Sequence, residues 1–188
     1  MKVIGITGGI GSGKSVVSHL LQTMGYKVYD SDTEAKKLMN TSGHLQRELC
    51  DTFGPEVYDG EKLNRAELAK KVFSDKVALQ RLNAIVHPAV RDDFRTWVLR
   101  YSHEQYLFME SAILIEAGFT DLVDEIWLVT APINLRIERI MHRNGCLRED
   151  AEARISSQSS DSEKERWSNC VIFNDNTTPL IPQILSLL

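Results

Sequence analysis

The run Gly8-Gly9-Ile10-Gly11-Ser12-Gly13-Lys14-Ser15 joins four glycines to a lysine and two hydroxyls at a spacing suited to polyphosphate. It fits the phosphate-loop pattern Gly-x-x-x-x-Gly-Lys-Ser without a gap. Glycine lacks Cβ, so this backbone can wrap closely around an anion with consecutive N–H groups pointing inward. A helix that follows adds the positive end of its dipole. Lys14 is expected to reach the β- and γ-phosphates, and Ser15 to offer its hydroxyl to Mg²⁺. A glycine-rich turn that merely carries Lys-Ser is the alternative. An apolar run before it and a helix-like run after it argue for the nucleotide loop.

Other residues offer chemistry that a bound polyphosphate would use. Asp30 and Asp32 stand at the end of a second apolar run, where a carboxylate could accept a hydroxyl proton or help hold Mg²⁺ through water. The competing reading is that both acids favour the start of the next helix, with Ser31 as its cap. Arg136, Arg139 and Arg143 are three and four apart and share a helical face that would neutralise a transferring phosphoryl group. Gly145 and Arg148 are read as loop, and without a phosphate loop the arginines would be a solvated face. Glu110 ends a third apolar run, where an acid orients metal-bound water. Glu116 follows as a weaker candidate, with an ordinary surface charge as its alternative. His87-Pro88 places an imidazole either against a ligand or at a helix end.

These residues need a scaffold. Five short apolar segments read as buried strands: Lys2–Thr7, Lys27–Asp30, Gln105–Glu110, Glu125–Thr130 and Cys170–Phe173. Helical patterns alternate with them, which predicts an α/β fold with a parallel five-stranded sheet between two helical layers. Ligands of such sheets sit beyond the carboxyl ends of the strands. The connection from Ser31 to Ser102 far exceeds what a crossover needs and reads as a helical insertion placed beside the nucleotide. Ser31-x-x-Glu34 and Asn64-x-x-Glu67 look like capping boxes. Leu79, Leu82, Ile85 and Val86 fall on one helical face, and Pro88 is expected to end or kink that helix near Val86. The expected division is a core of residues 1–30 and 103–188, an acceptor-binding insertion over 31–102, and a lid over 142–157.

Composition narrows the function classes. The chain has 188 residues, 43% of them hydrophobic, and a net charge of −4, which suits one globular domain with room for an inserted subdomain and does not suggest a nucleic-acid surface. Cys50, Cys146 and Cys170 are widely spaced, so neither a zinc knuckle nor a disulfide framework is indicated, and reduced thiols point to a cytoplasmic protein. The histidines lack ligand spacing. Met1-Lys2 enters a strand at once, which predicts no signal peptide, and no apolar run approaches a membrane span. Ser156 to Glu163 is the segment nearest to low complexity.

Three uses of the phosphate remain. A regulatory GTPase would need an Asp-x-x-Gly turn after an apolar strand and an Asn-Lys-x-Asp base reader. Asp51-Thr52-Phe53-Gly54 matches the first only by letters, and the second is absent. An ATPase module would need no helical acceptor pocket. The insertion and the arginines favour a small-molecule kinase with a water-excluding lid.

The chain resembles the dephospho-CoA kinase family over nearly its whole length. The resemblance is carried by Gly5 to Ser15, Asp30-x-Asp32, Phe53-Gly54, Asp59-Gly60 and Leu63-Asn64-Arg65-x-x-Leu68. It continues through Val72-Phe73, Leu82-Asn83-x-Ile85-Val86-His87-Pro88, Arg139-x-x-x-Arg143, Gln158 and Asn174. It implies ATP-dependent phosphorylation of the ribose 3′-hydroxyl of dephospho-CoA, with Asp32 as base and the inserted helices holding the acceptor. It also implies that the arginine segment is a lid, with Arg139 or Arg143 spreading charge, and that Asn174 lies near adenine. An extended acceptor groove would draw on Phe53, Tyr58, Arg65, Phe73, Arg81 and His87, with Arg65 and His87 as the principal contacts. The sequence departs from the family at Glu110-Ser111-Ala112, where Asp-x-Pro is usual, and its end at Leu188 predicts a short last helix.

Overall fold

The computed structural model describes residues 1–73 and 75–188, with the Phe73 side chain also outside the described set. In chain order its elements begin with β1 (Lys2–Thr7), α1 (Lys14–Thr23), β2 (Lys27–Asp30), α2 (Ser31–Thr41) and α3 (Gly43–Phe53). A short ribbon of β3 (Tyr58–Asp59) and β4 (Lys62–Leu63) leads to α4 (Arg65–Phe73) and α5 (Lys76–Arg100). Then come β5 (Tyr106–Glu110), β6 (Glu125–Thr130), α6 (Ile133–Asn144), α7 (Arg148–Ser156), α8 (Asp161–Glu165), β7 (Cys170–Phe173) and the six-residue α9 (Leu180–Leu185). Two compact units result, Met1–Tyr29 with Tyr101–Leu188, and Asp30–Arg100.

The first unit is a parallel α/β structure whose strand order is β2-β5-β1-β6-β7. β1 is central, with Ile4 and Ile6 fully buried, because helices cover both faces of a parallel sheet. β5 and β6 flank β1 in register, Ile6 opposite Glu110 and Trp127. The chain therefore leaves β1 at a point where the order reverses, and the loop from Gly8 starts there. Phe108 and Trp127 meet edge to face at 5.4 Å, and Val17 and Leu21 of α1 close the same core. The expected strands are all present, and the third starts at Tyr106 rather than Gln105.

The most enclosed charge among the described residues of this unit is Lys164 on α8, whose Nζ donates to Glu116 at 2.7 Å and to the Ala112 carbonyl at 3.1 Å. Glu116 is thus the partner of an interior lysine rather than a plain surface charge. Burial raises its carboxyl pKa, but the bonds from Lys164 and from backbone outweigh that and leave it below the ordinary value. A depressed folded pKa stabilises above the unfolded pKa and stops doing so as pH falls through the folded one. Glu116→Ala, which strands the ammonium, is expected to cost roughly 3 kcal/mol at neutral pH. Lys164→Met, which leaves a part-solvated carboxylate, should cost much less. Denaturant melts at pH 7 and pH 4 check this: the gap between wild type and Glu116→Ala should narrow in acid. Equal costs for the two substitutions would contradict it.

The second unit buries Leu49, Phe53, Val57, Tyr58, Leu63 and Leu68 against Met39, Leu82 and Ile85. It is not wholly helical as expected, because Asp59-Gly60 turns the ribbon, with Gly60 at φ +60°. Leu79 lies off the apolar face at 43% exposure, and Ala78 takes its place against the core. Pro88 does not end its helix: α5 runs 25 residues through it. Val86, Val90 and Phe94 are buried on either side of the proline, and that burial offsets the missing backbone donor. Among the described residues no helix is long and apolar enough to cross a membrane.

Candidate active site

The loop from Gly8 to Lys14 is held from outside by side chains. Arg136 is 5% exposed; its Nε donates to the Ile10 carbonyl at 2.9 Å and its Nη1 to Asp161 at 3.0 Å. Arg139 donates to the carbonyls of Gly11, Ser12 and Asn174 and to the Asn176 side chain. The Asn174 amide donates to the Ser12 carbonyl at 2.9 Å. These donors explain two glycines. A Cβ on Gly9 would overlap the Arg136 guanidinium, and one on Gly13, at φ +93°, would overlap the Asn174 amide.

With its carbonyls turned outward to those donors, the loop turns amides the other way. Among the described residues the N–H groups of Gly11, Gly13 and Ser15 have no acceptor, which is the donor array an anion needs. Two others are bonded within the protein: the Ile10 N–H donates to Gln158 at 2.7 Å and the Ser12 N–H to the Gly9 carbonyl at 3.2 Å. Lys14 Nζ folds back onto the Gly8 carbonyl at 2.8 Å and the Gly9 carbonyl at 3.3 Å. Ser15 is exposed, and its hydroxyl has no partner among the described residues. Ser12 is fully buried beneath the loop.

The three arginines do not act as one face. Arg136 and Arg139 are bonded to the loop, whereas Arg143 is exposed and, among the described residues, bonds only its neighbour Asn144. Gly145 caps α6 in the left-handed region, as a helix C-terminus favours. Arg148 is not in a loop but opens α7, bonded to Glu152 and Asn134. Residues 142–157 comprise the end of α6, a short connection and α7, which buries Ala151 beside Ile137 and Ile140. Glu110 ends β5 half-buried.

In the second unit the two early acids have different jobs. Asp30, not Ser31, is the cap of α2: its carboxylate accepts from the N–H groups of Asp32 and Thr33 and from the Thr33 hydroxyl. Ser31 is instead a buried first-turn residue, because the helix starts one residue earlier than a Ser31 cap allows. Asp32 is exposed, and its carboxylate bonds nothing among the described residues. Asn64 accepts from the Glu67 N–H, but its own N–H goes to the Val57 carbonyl, so only half of that capping box forms.

Arg65 lines a cavity of about 740 Å³ with Asn40, Asp59, Lys62, Leu63 and Asn64. Arg81 lines a separate hollow with Asp51, Thr52, Ala84 and Ile85. His87 is half-buried, and burial together with Arg91 lowers its pKa. Phe53 and Tyr58 are buried in the core of this unit. Burial pushes the Tyr58 phenol up to about 12, and its hydroxyl donates to the Met39 carbonyl. The expected lining by Phe73 lies outside the described residues.

Asp161, Lys164 and Asn176 escaped the sequence reading. A signal for the first two existed. Ser160-x-x-Glu163 in the serine-rich stretch is a capping box, and both of its bonds form at the start of α8.

A parallel sheet that delivers a glycine loop, a lysine and free backbone amides from its central strand to a helix defines a phosphate-loop nucleotide-binding protein, in the fold shared by phosphate-loop kinases. A dephospho-CoA kinase family model matches residues 2–179. A dephospho-CoA kinase of Bacteroides fragilis is 50% identical over 185 residues, covering 98% of this chain and 90% of its own. A Thermus thermophilus crystal structure superposes with TM-score 0.82 at 36% identity, over 100% of this chain and 97% of its own. Dephospho-CoA kinase from Campylobacter jejuni, at 24% identity and TM-score 0.70, covers 98% of this chain and 96% of its own and shares the fold. The chain belongs to the dephospho-CoA kinase family.

Proposed function

We propose that the chain transfers the γ-phosphoryl group of ATP to the ribose 3′-hydroxyl of dephospho-CoA, giving CoA and ADP, the last step of CoA synthesis. The observation that carries this reading is the family match over residues 2–179, on a chain whose Gly11, Gly13 and Ser15 amides have no acceptor among the described residues. The loop amides and Lys14 would hold the β- and γ-phosphates. Ser15 is suited to Mg²⁺: its hydroxyl is exposed and unpartnered, and Mg²⁺ takes most of its ligands from phosphate and water. Bound there, the ion would neutralise charge on the phosphates. Asp32 is assigned as base, with its free carboxylate taking the proton of the 3′-hydroxyl as the bond to phosphorus forms. Asn174 would border the base of ATP. Arg65 and His87 would touch the acceptor, and residues 142–157 would exclude water.

The exposed Arg143 and the loop-bonded Arg139 should then fail differently. Arg139→Ala is expected to raise the ATP KM about tenfold or more, because loop carbonyls and the Asn174 turn lose their tether. Arg143→Ala should lower kcat with little change in that KM. Steady-state kinetics in both substrates separate the two. Identical profiles would mean that the arginines act as one unit.

Supplying a panel of acceptors with Mg-ATP tests the function itself. Dephospho-CoA should be phosphorylated at the 3′-hydroxyl, with adenosine, AMP and shikimate much poorer. Preferred phosphorylation of a nucleoside monophosphate or a small sugar acid would overturn the assignment.

A further inference from the structure

Ile10 is gripped through both of its backbone groups, which belong to the two successive peptide units on either side of its Cα. Its N–H donates to the Gln158 side chain at 2.7 Å, and its carbonyl accepts from Arg136 Nε at 2.9 Å. Arg136 is nearly enclosed, so its orientation depends on what its remaining nitrogens meet. Asp161 meets one of them at 3.0 Å with Oδ1, while Oδ2 accepts from the Thr130 hydroxyl at the end of β6. An unbroken chain of bonds thus runs from the sheet through Asp161 and Arg136 to the top of the loop. Gln158 closes it from the other side. Gln158 and Asp161 lie only three residues apart, in the segment between α7 and the first turn of α8.

A glycine-rich loop has many backbone states, and an anion selects only those in which its amides converge. Side chains that fix the central peptide reduce that choice before the anion arrives, and so raise affinity without touching it. A carboxylate on a buried guanidinium is also a strong and directional tie.

We propose that Gln158 and Asp161 are positioning residues for nucleotide: Gln158 directly and Asp161 through Arg136 clamp the two peptide units that flank the Ile10 Cα and hold the phosphate loop in its anion-accepting shape. Neither residue needs to contact phosphate. The effect is specific to nucleotide, since the acceptor has no part in the clamp. The proposal rests on the kinase reading above.

Calorimetric titration with MgADP tests it on the wild type, Gln158→Met and Asp161→Asn, alongside the acceptor KM and the thermal midpoint without nucleotide. Gln158→Met removes one acceptor at similar length. Asp161→Asn keeps the shape but turns an amide donor toward either Arg136 or Thr130. Each should raise the MgADP Kd about tenfold or more, as the loss of one such tie predicts, with the acceptor KM changed less than twofold. If Asp161→Asn does not fold, Gln158→Met decides alone. Gln158 is only half-buried, and among the described residues its side chain bonds Ile10 alone. Folded variants that bind MgADP as the wild type does, with only the thermal midpoint lowered, would overturn the proposal. A wild type that fails to bind MgADP would instead bring down the kinase reading, and this one with it.

Discussion

Lys14→Ala is expected to reduce phosphoryl transfer by about a hundredfold or more while leaving a folded protein. The folded part of that statement follows from packing. α1 is anchored by Val17 and Leu21, both fully buried, and Lys14 lies at its first turn, outside that core. The bonds that the ammonium makes to the Gly8 and Gly9 carbonyls are part-buried, and each contributes about 1 kcal/mol. The catalytic part follows from charge. The ammonium is the cation carried by the loop itself, and a γ-phosphate gathers negative charge as it leaves ADP. Lys14→Arg should rescue little, because a planar fork is a poor substitute for a compact ammonium in a tight loop. Turnover and MgADP affinity measured on the same preparations check the claim. Near wild-type turnover in Lys14→Ala would sink the phosphate-loop assignment.

Asp32→Asn should lower kcat by about a hundredfold or more with the ATP KM nearly unchanged. Its neighbour supplies the control. Asp30 is spent on capping α2, a job that asparagine does equally well, so Asp30→Asn should keep most of the activity. The carboxylate of Asp32 caps nothing and pairs with nothing among the described residues, so Asn at 32 removes a proton acceptor and little else. A profile in which Asp30→Asn is the damaged variant would reverse the two roles. A collapse of ATP binding in Asp32→Asn, with turnover of the bound fraction intact, would make Asp32 a metal or structural residue.

The sheet was legible because its central strands are short apolar runs such as Val3-Ile4-Gly5-Ile6, as parallel strands covered on both faces tend to be. The loop was legible because its letters carry their own geometry. What the letters did not disclose is that its glycines also answer to packing. Gly9 makes room for Arg136 and Gly13 for Asn174, residues more than a hundred positions away. The arginine face misled for a related reason. Spacing places side chains on a helix but does not say which of them reaches an acceptor, so a buried Arg136 and an exposed Arg143 looked alike. The start of α2 was misplaced by one residue because aspartate and serine are equally good caps, and only the backbone decides between Asp30 and Ser31. Asp161 and Lys164 were hidden in a serine-rich stretch whose composition resembles a linker.

The proline inside α5 has a mechanical consequence. Of its 25 residues, twelve (76–87) precede Pro88 and twelve (89–100) follow it, so the gap in the hydrogen-bond ladder falls at the midpoint. A rod of that length, about 37 Å at 1.5 Å per residue, resists bending everywhere except where a rung is absent. The Ala84 carbonyl has no amide at position 88 to hold it, so flexing there breaks no bond of that rung. Each half is pinned separately, the first by Leu82 and Ile85 and the second by Val90 and Phe94. α5 therefore behaves as two stiff arms with a compliant joint. His87 sits next to that joint, so a bend there carries its imidazole with it.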